Sequence, residues 1–309
     1  MDGRRPDGPF LVGVNLPWQD YGLDFGANAW QPGGGLARRD RGERLRPVLE
    51  RLARQGVSQV RWFLLGDGRA GLREAPDGGL EPDDALFPDL DAALLLLRES
   101  GLQAIFVLLD FTWFARPRVV NGVRLHGRRR WVRDPARRAG LLEGVFRPLF
   151  ETYGRHPQVA AWDLLNEPEW ATLGLGTWDP GASVSRRQMR AFLGALAGLA
   201  HACSDRPVTV GSASVRWLGL VRGLGLDLYQ AHWYETTDAP SVLEAPVETL
   251  GLDRPLLLGE YPTRGSRLPP REILAAARAS GFAGALAWSV LAEDDATDAD
   301  ACLAACALA

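Results

Sequence analysis

Residues 159–168 read Val-Ala-Ala-Trp-Asp-Leu-Leu-Asn-Glu-Pro, a mostly apolar run that ends in an amide, a carboxylate and a proline. A run that stays apolar, rather than alternating with polar residues, is typical of a strand buried on both faces of a parallel sheet. Glu167 at its end is poorly explained by packing, because a buried carboxylate needs a partner or a cleft. We therefore interpret 159–166 as a buried parallel strand whose end carries a functional side chain.

A second run of this kind, Pro-Leu-Leu-Leu-Gly-Glu-Tyr at 255–261, places Glu260 at the end of another predicted strand. Short apolar segments alternate along the chain with segments of helical periodicity. The predicted strands are 10–16, 59–65, 103–110, 159–166, 207–211, 226–232, 256–260 and 284–290. The predicted helices are 42–55, 89–100, 136–153, 186–204, 215–222, 241–250, 270–280 and 298–308.

This strict alternation of strands and helices predicts an α/β fold with a parallel sheet. Eight such units in a chain of 309 residues fit a single closed (β/α)8 TIM barrel. A doubly wound open sheet is the alternative, but no Gly-rich phosphate loop follows the first predicted strand. We see no linker or break in composition, so we expect one catalytic domain spanning residues 1–309.

Composition excludes several classes of partner and location. The formal net charge of −3 gives no general basis for binding nucleic acid or a membrane surface. No apolar run approaches the roughly 18 residues of a membrane span. Residues 1–6, Met-Asp-Gly-Arg-Arg-Pro, lack the apolar core of a signal peptide. We therefore expect a cytoplasmic location, or secretion if a signal segment was removed ahead of residue 1.

Residue usage also excludes several chemistries. All 35 basic residues are arginines, so Schiff-base aldolases, lysine-base enzymes and P-loop enzymes are excluded because each needs a lysine. No H-E-x-x-H motif indicates a catalytic metal, and no G-x-S-x-G motif indicates a serine hydrolase. We predict neither a metal nor a cofactor.

In a TIM barrel, the loops after the C-terminal strand ends build the active face. Here those ends carry mostly polar and aromatic residues: Asn15, Trp18, Arg61, Asp110, Asn166, Glu167, His232, Tyr234, Glu260 and Trp288. The fourth and seventh strands lie on opposite sides of the barrel, so Glu167 and Glu260 can face each other across its mouth. A retaining glycosidase needs two carboxyl groups about 5 to 5.5 Å apart, and this pair is a candidate.

Neighbouring residues suit the same chemistry. Asn166 is placed to bond a sugar 2-hydroxyl, a contact that strengthens in the transition state. Arg61 and Tyr234 are placed to hold Glu260 ionised and oriented. Trp288 offers an apolar face on which a sugar ring can stack.

These motifs together resemble glycoside hydrolase clan A, and most closely its cellulase-like family 5 with the β-mannanase relatives. The resemblance rests on Asn166-Glu167-Pro168, His232-Trp233-Tyr234, Gly259-Glu260-Tyr261 and Trp288, and it covers the whole chain in barrel order. It implies that Glu167 is the acid/base and Glu260 the nucleophile. It also implies a supporting set of substrate-binding residues: Arg61, Asn166, His232, Tyr234 and Trp288. A cis peptide bond after Trp288 is implied as well.

One feature departs from the family pattern. Family 5 members often place a histidine at the end of the third strand, where this chain has Asp110-Phe111-Thr112-Trp113. This departure leaves the subfamily and the specificity of the −1 subsite open. Asp110 is either a sugar-binding residue or the partner of an arginine. Four tryptophans are each either a sugar platform or a core residue: Trp18, Trp113, Trp170 and Trp233.

The segment 116–138 holds nine arginines and one acid, Asp134. It is either a solvated loop or an arginine-rich wall that shapes subsites or binds an anionic sugar. Because 111–134 is long for a βα loop, we expect it to form one wall of the cleft, with Trp113 and Trp131 as stacking surfaces.

The sequence therefore predicts a retaining β-glycoside hydrolase. It would cleave β-linked oligo- or polysaccharides by double displacement through a glycosyl-enzyme intermediate. A carbohydrate is the expected partner. Two alternatives remain: a non-catalytic carbohydrate-binding barrel, and a transglycosylase that uses the same residues.

Overall fold

The computed structural model describes residues 9–76 and 78–307. In chain order its strands are β1 (Leu11–Asn15), β2 (Gln59–Phe63), β3 (Leu72–Glu74), β4 (Leu80–Pro82), β5 (Gln103–Val107), β6 (Arg118–Val120), β7 (Val123–Leu125), β8 (Val159–Asn166), β9 (Val208–Ser212), β10 (Tyr229–His232), β11 (Leu256–Pro262) and β12 (Gly284–Trp288). Eight of them close a parallel barrel in the order β1-β12-β11-β10-β9-β8-β5-β2. The predicted (β/α)8 barrel is confirmed.

The helices are α1 (Arg39–Arg54), α2 (Leu86–Ser100), α3 (Arg130–Arg133), α4 (Pro135–Leu141), α5 (Arg147–Tyr153), α6 (Arg186–Cys203), α7 (Ser241–Glu244), α8 (Pro270–Ser280) and α9 (Ala299–Ala307). The longest, α6, begins with a capping box in which Ser185 and Gln188 bond each other's backbone amides. Its apolar face buries Phe192 and Leu196 against the barrel. Such amphipathic helices form the outer layer of the fold.

Three predicted helices differ from the observed elements. Segment 215–222 forms only a 3₁₀ helix, Val215–Leu220. Segment 241–250 splits into α7 and a 3₁₀ turn, because Pro246 holds the preceding Ala245 in an extended conformation. Segment 136–153 stays helical but passes through a π-helical turn, Leu142–Phe146, ahead of Pro148, which has no amide hydrogen to donate.

Two antiparallel hairpins, β3–β4 and β6–β7, lie in the connections after β2 and β5 and were not predicted. Their strands have three residues each, too few to give a periodic signal. Both connections leave the C-terminal ends of barrel strands, so the hairpins belong to the active face.

The barrel interior has an apolar floor and a polar layer above it. The floor joins Ile105, Ala161, Leu257 and Leu286, which come from four strands and pack across the barrel axis. The polar layer contains Arg61, Asp163 and Gln230, all of them completely buried. Arg61 of this layer donates a hydrogen bond to the strand-end carboxylate of Glu260.

Two glycines make room for the polar layer. A Cβ atom at Gly211 would lie 2.6 Å from Nη2 of Arg61, and one at Gly259 would lie 2.4 Å from the Gln230 side chain. Real Cβ atoms do not approach other heavy atoms that closely. The absence of a side chain at Gly211 therefore leaves room for the Arg61 guanidinium, and its absence at Gly259 leaves room for Gln230.

The strand register shifts near the C-terminal ends of the barrel. Shifts occur between Asp163 and Asn166, between Ala231 and His232, and between Leu258 and Tyr261. Irregularities of this kind re-aim side chains and are common next to active sites. Here they occur on β8, which precedes Glu167, on β10, which ends at His232, and on β11, which contains Glu260.

No helix among residues 9–76 and 78–307 has the length and apolar character needed to cross a membrane. Residues 1–8, on which the predicted location depends, lie outside the described residues, as does residue 308 of the last predicted helix.

Candidate active site

Glu167 directly follows β8 and is held on both carboxylate oxygens. Its backbone is left-handed, with φ 48° and ψ 52°, which is uncommon for a residue other than glycine. Oε1 lies 2.8 Å from Nδ1 of His232, and Oε2 accepts a hydrogen bond of 2.9 Å from Nε1 of Trp170. The side chain is 16% exposed, so it is oriented by the protein and still reachable from the cleft.

Glu260 lies within β11 and is bound by a cation. Its Oε1 accepts a hydrogen bond of 2.6 Å from Nη1 of Arg61. Its Oε2 accepts one of 2.9 Å from the Tyr234 hydroxyl. A charge-assisted bond of this length favours the ionised carboxylate. Glu260 is therefore the member of the pair that the surroundings hold as an anion.

Arg61 projects from β2 into the barrel and is completely buried. Besides Glu260, it donates to Asp163 at 2.9 Å, to Asn15 at 3.1 Å and to Asn166 at 2.7 Å. Asp163 and Asn166 are three residues apart and would face opposite sides of a regular strand. The register shift on β8 lets both reach the same guanidinium.

The two glutamates lie close together. One carboxylate oxygen of each, with a ring nitrogen of His232, lie within 4.8 Å of one another. Inverting glycosidases separate their carboxyl groups by about 6.5 to 9.5 Å to admit a water, whereas retaining enzymes use about 5 to 5.5 Å. An approach of carboxylate oxygens this close favours the retaining arrangement.

The surroundings give the two carboxyl groups different acidities. Burial raises the pKa of Glu167 to about 7, and the Trp170 hydrogen bond offsets part of that rise. Burial also raises the pKa of Glu260, while Arg61 opposes the rise. Because Glu167 contacts no cation directly, we expect it to keep a proton near neutral pH while Glu260 is ionised.

His232 and Tyr234 are neutral under the same conditions. Burial lowers the pKa of His232 to about 4. Burial, with the charges of Glu260 and Glu167, raises the pKa of Tyr234 well above its usual value. A neutral imidazole beside Glu167 leaves that carboxyl free to hold its proton, and the phenol remains a hydrogen-bond donor to Glu260.

Both glutamates open into a cavity of about 400 Å³ at the barrel mouth. Its walls include the predicted Trp18, Asp110, Asn166, Tyr234 and Trp288. The Trp288–Ser289 peptide bond is cis, as the resemblance implies. The Trp288 ring meets the rings of Trp18 and Phe63 edge-on, so aromatic surface lines one side of the cavity.

Asp110 has no arginine partner among the described residues, and that alternative is wrong. Its Oδ2 accepts from the Asn166 amide at 2.8 Å, and its Oδ1 accepts from the Thr112 backbone at 2.9 Å. Asn166 thus uses its oxygen on Arg61 and one amide hydrogen on Asp110. One amide hydrogen remains for a ligand.

Three predicted substrate-binding residues do not line the cavity. Trp113 is wrong as a sugar platform: the 3₁₀ helix Phe111–Phe114 turns its ring into the core, where it is completely buried. Arg61 and His232 lie behind the carboxylates and contact Glu260 and Glu167 rather than the cavity. They are placed to orient these two carboxyl groups, and direct contact with a substrate stays a prediction for both.

The arginine-rich segment is not a cleft wall as predicted. From the segment 111–134, only Phe111 and Thr112 line the cavity. Trp131, the second expected stacking surface, is 1% exposed and belongs to the core. The segment contains the β6–β7 hairpin, and no residue of that hairpin lines the catalytic cavity.

Several cavity residues were missing from the predicted site. They include Tyr21, Asp24, Phe63, Asp67 and Phe111. Trp170, which was left open as either a sugar platform or a core residue, also lines the cavity. Trp170 carried a signal in the sequence, because it follows Glu167 by three residues, the spacing that a 3₁₀ turn brings together. Tyr21 and Asp67 come from irregular loops, for which no periodic pattern exists.

Glu167, His232 and Glu260 are also residue types that bind metals. However, Nδ1 of His232 is already bonded to Glu167, and Glu260 is paired with the cationic guanidinium of Arg61. A divalent cation would meet that positive charge at close range. The donor set therefore fits proton transfer better than metal binding, and the absence of a metal stays a prediction.

Known proteins similar to this chain include β-mannanases, although no protein-family model matches it. A mannan endo-1,4-β-mannosidase of Cryptopygus antarcticus is 22% identical over 94% of this chain and 82% of its own length. The β-mannanase structure of the blue mussel Mytilus edulis has a TM-score of 0.77 at 20% identity, covering 96% of this chain and 90% of its own. The endo-1,4-β-mannanase structure of Eisenia fetida has a TM-score of 0.78 at 20% identity, with the same coverage. The resemblance inferred from the motifs thus extends to both sequence and fold.

Proposed function

We propose that this chain is a retaining β-glycoside hydrolase and that residues 1–309 form one catalytic domain. The observation that carries the proposal is the close pair of strand-end carboxylates. Glu260 is bound by Arg61, Glu167 contacts no cation directly, and their nearest oxygens lie within 4.8 Å. One ionised and one protonated carboxyl at short range is the arrangement that double displacement requires.

In the first step, Glu260 attacks the anomeric carbon and forms a glycosyl-enzyme ester. The proton of Glu167 passes to the glycosidic oxygen, and the leaving sugar departs as an alcohol. In the second step, Glu167 takes a proton from water, which displaces Glu260 from the anomeric carbon. Two inversions give net retention.

Neighbouring groups support these steps. Asn166 has an amide hydrogen left for the sugar 2-hydroxyl, where the hydrogen bond strengthens as positive charge develops on the ring. The Trp288 indole forms a wall against which a sugar ring can stack. Arg61 and Tyr234 keep Glu260 ionised and oriented before the attack.

We further propose a β-1,4-linked mannan as the substrate, because the similar proteins are named β-mannanases. The test is a panel of mannan, glucomannan, cellulose and xylan, with the anomer of the first product followed by proton NMR. We expect fastest cleavage of mannan and an initial β-anomer. An initial α-anomer would contradict retention, binding without cleavage would favour the non-catalytic barrel, and chain lengthening would favour a transglycosylase.

Trp170→Phe should move the basic limb of the pH profile. The Trp170 indole stabilises ionised Glu167, so its loss should raise the pKa of Glu167 and extend activity to higher pH by about one unit. The measurement is kcat/KM against pH on one oligosaccharide. Trp178→Phe is the matched control, because Trp178 packs on Trp170 at a ring distance of 5.5 Å without a hydrogen bond to Glu167. An unchanged limb in Trp170→Phe would contradict this role of the indole.

The carbohydrate partner follows from the proposed activity. The cytoplasmic location and the absence of nucleic-acid and membrane partners stay predictions from the sequence.

A further inference from the structure

Arg128 is a buried cation without a carboxylate partner among residues 9–76 and 78–307. The residue lies in the turn that joins β7 to α3, and it is 5% exposed. Nη2 donates to the carbonyl oxygen of Gly68 at 2.7 Å, while Nε and Nη1 meet no acceptor in this part of the chain. A buried charge normally persists only when a partner compensates it. Arg128 therefore needs an explanation beyond packing.

Other donors around Arg128 also lack acceptors. Nε1 of Trp113 and Nε1 of Trp131 have no hydrogen-bond partner within the described residues. Both rings have their centroids 6.0 Å from the Arg128 guanidinium carbon. Buried polar groups of native proteins are nearly always paired, so a local surplus of donors indicates that an acceptor binds here.

The acid nearest in sequence to Gly68 is already committed. Asp67 binds Arg69 through both carboxylate oxygens, with contacts of 2.8 to 3.2 Å. Asp67 therefore neutralises Arg69 and is not available to compensate Arg128. Burial and the charge of Arg124 lower the pKa of Arg128 to about 10, which still leaves it protonated at neutral pH.

Arg128 lines a cavity of about 280 Å³ that is separate from the catalytic cavity. Its walls also contain Arg69, Arg124 and one acid, Glu74. With Arg69 neutralised by Asp67, Arg124 and Arg128 outnumber Glu74, and the cavity has a surplus of positive charge. Its volume is large enough for a carboxylate or a tetrahedral oxyanion with part of the molecule that carries it.

We propose that this cavity binds an oxyanion between Arg124 and Arg128. Guanidinium groups suit such ligands, because their parallel N–H donors match the paired oxygens of carboxylates and phosphates. The ligand has two possible sources: a free inorganic oxyanion, or an acidic substituent on a glycan bound in the cleft. The second source rests on the proposed function.

The position of the cavity is compatible with a substituted glycan. Gly66 and Asp67 line the catalytic cavity, and Gly68 and Arg69 line the second one, so a single turn separates the two. The Arg69 guanidinium stacks over the Tyr21 ring at 4.3 Å, and Tyr21 also lines the catalytic cavity. A sugar substituent that crosses this turn would reach Arg124 and Arg128.

The test is thermal unfolding of the whole chain with increasing inorganic phosphate, at an ionic strength held constant with sodium chloride. A ligand that binds the folded state raises Tm as its concentration passes Kd, so we expect a saturable rise. Arg128→Gln and Arg124→Gln should each weaken phosphate binding about tenfold or more, since each removes a charge-assisted contact. Arg118→Gln, on the same hairpin but outside the cavity, is the charge-matched control and should keep the wild-type response.

Arg124 is an exposed residue of the hairpin, so Arg124→Gln tests the proposal even if Arg128→Gln does not fold. No saturable rise in wild type, or an equal loss in Arg118→Gln, would overturn the site. The source of the oxyanion is identified by measuring KM of wild type and Arg124→Gln for neutral and for uronate-substituted mannan oligosaccharides. A higher KM in Arg124→Gln than in wild type for the acidic substrate alone identifies a glycan substituent. Equal KM values in the two proteins, with a saturable phosphate response in wild type that Arg124→Gln loses, identify a free oxyanion. Because phosphate binding is measured without turnover, the site and the proposed activity can fail independently.

Discussion

Glu260→Gln should lower kcat on β-linked oligosaccharides by roughly 10⁴- to 10⁶-fold, the scale on which loss of a covalent nucleophile acts. Glutamine keeps the shape of the side chain, but its amide is too weak a nucleophile to form the glycosyl-enzyme. The exposed Glu248→Gln, which makes the same chemical change on the surface, should keep wild-type kinetics. Circular dichroism and Tm would show that both variants are folded.

Azide distinguishes loss of the nucleophile from general damage. In Glu260→Ala, the space beside the anomeric carbon is open, and azide can attack from the side where the carboxylate stood. Glu167 still protonates the leaving oxygen, so the product is a glycosyl azide of inverted configuration. Near wild-type activity of Glu260→Ala would show that another group is the nucleophile.

Glu167→Ala should lower kcat/KM on substrates with poor leaving groups far more than on substrates with good ones. Cleavage of natural glycosides needs the proton of Glu167, so we expect a loss of about 10²- to 10⁴-fold in kcat/KM. Aryl glycosides with good leaving groups need little protonation and should still form the intermediate at near-normal rate. Equal loss on both substrate types would argue against Glu167 as the acid.

The pH profile gives a second measurement of the same role. The pKa of Glu167 is raised to about 7, so the group is protonated below that pH and loses its proton above it. Activity should therefore fall as pH rises through 7, and this limb should vanish in Glu167→Ala. Glu169→Gln is the control, because burial raises the pKa of the neighbouring Glu169 to about 8 and could give a similar limb. The limb should persist in that variant.

The sequence predicted the parts of the site that depend on strand order. Glu167 and Glu260 each close an apolar run, and parallel strands in a closed barrel bring such ends to one rim. The placement of both carboxylates at the same end of the barrel therefore followed from the alternation of strands and helices alone. The pairing of Arg61 with acidic residues was also predictable, because a buried guanidinium inside a barrel strand needs carboxylate partners.

What depended on departures from regular geometry was not predictable. Asp163 could not be assigned, since a regular strand would turn it away from Asn166, and only the register shift brings both to Arg61. Trp113 was misplaced because a four-residue 3₁₀ helix decides which way its ring points. The β6–β7 hairpin within the arginine-rich segment was likewise not predictable, because its three-residue strands give no periodic pattern.

The glycines beneath the carboxylates limit how this barrel can be redesigned. Replacing glycine by alanine often stabilises a protein, because it reduces the freedom of the unfolded chain. At Gly211 and Gly259 the same change would force a methyl group into the space held by Arg61 and Gln230. A redesign that ranks glycine replacements only by chain entropy would therefore select Gly211→Ala and Gly259→Ala. These variants would have a less flexible unfolded chain, but their folded state would displace Arg61 and Gln230. The absence of a side chain at Gly211 and Gly259 is therefore a requirement of the active site.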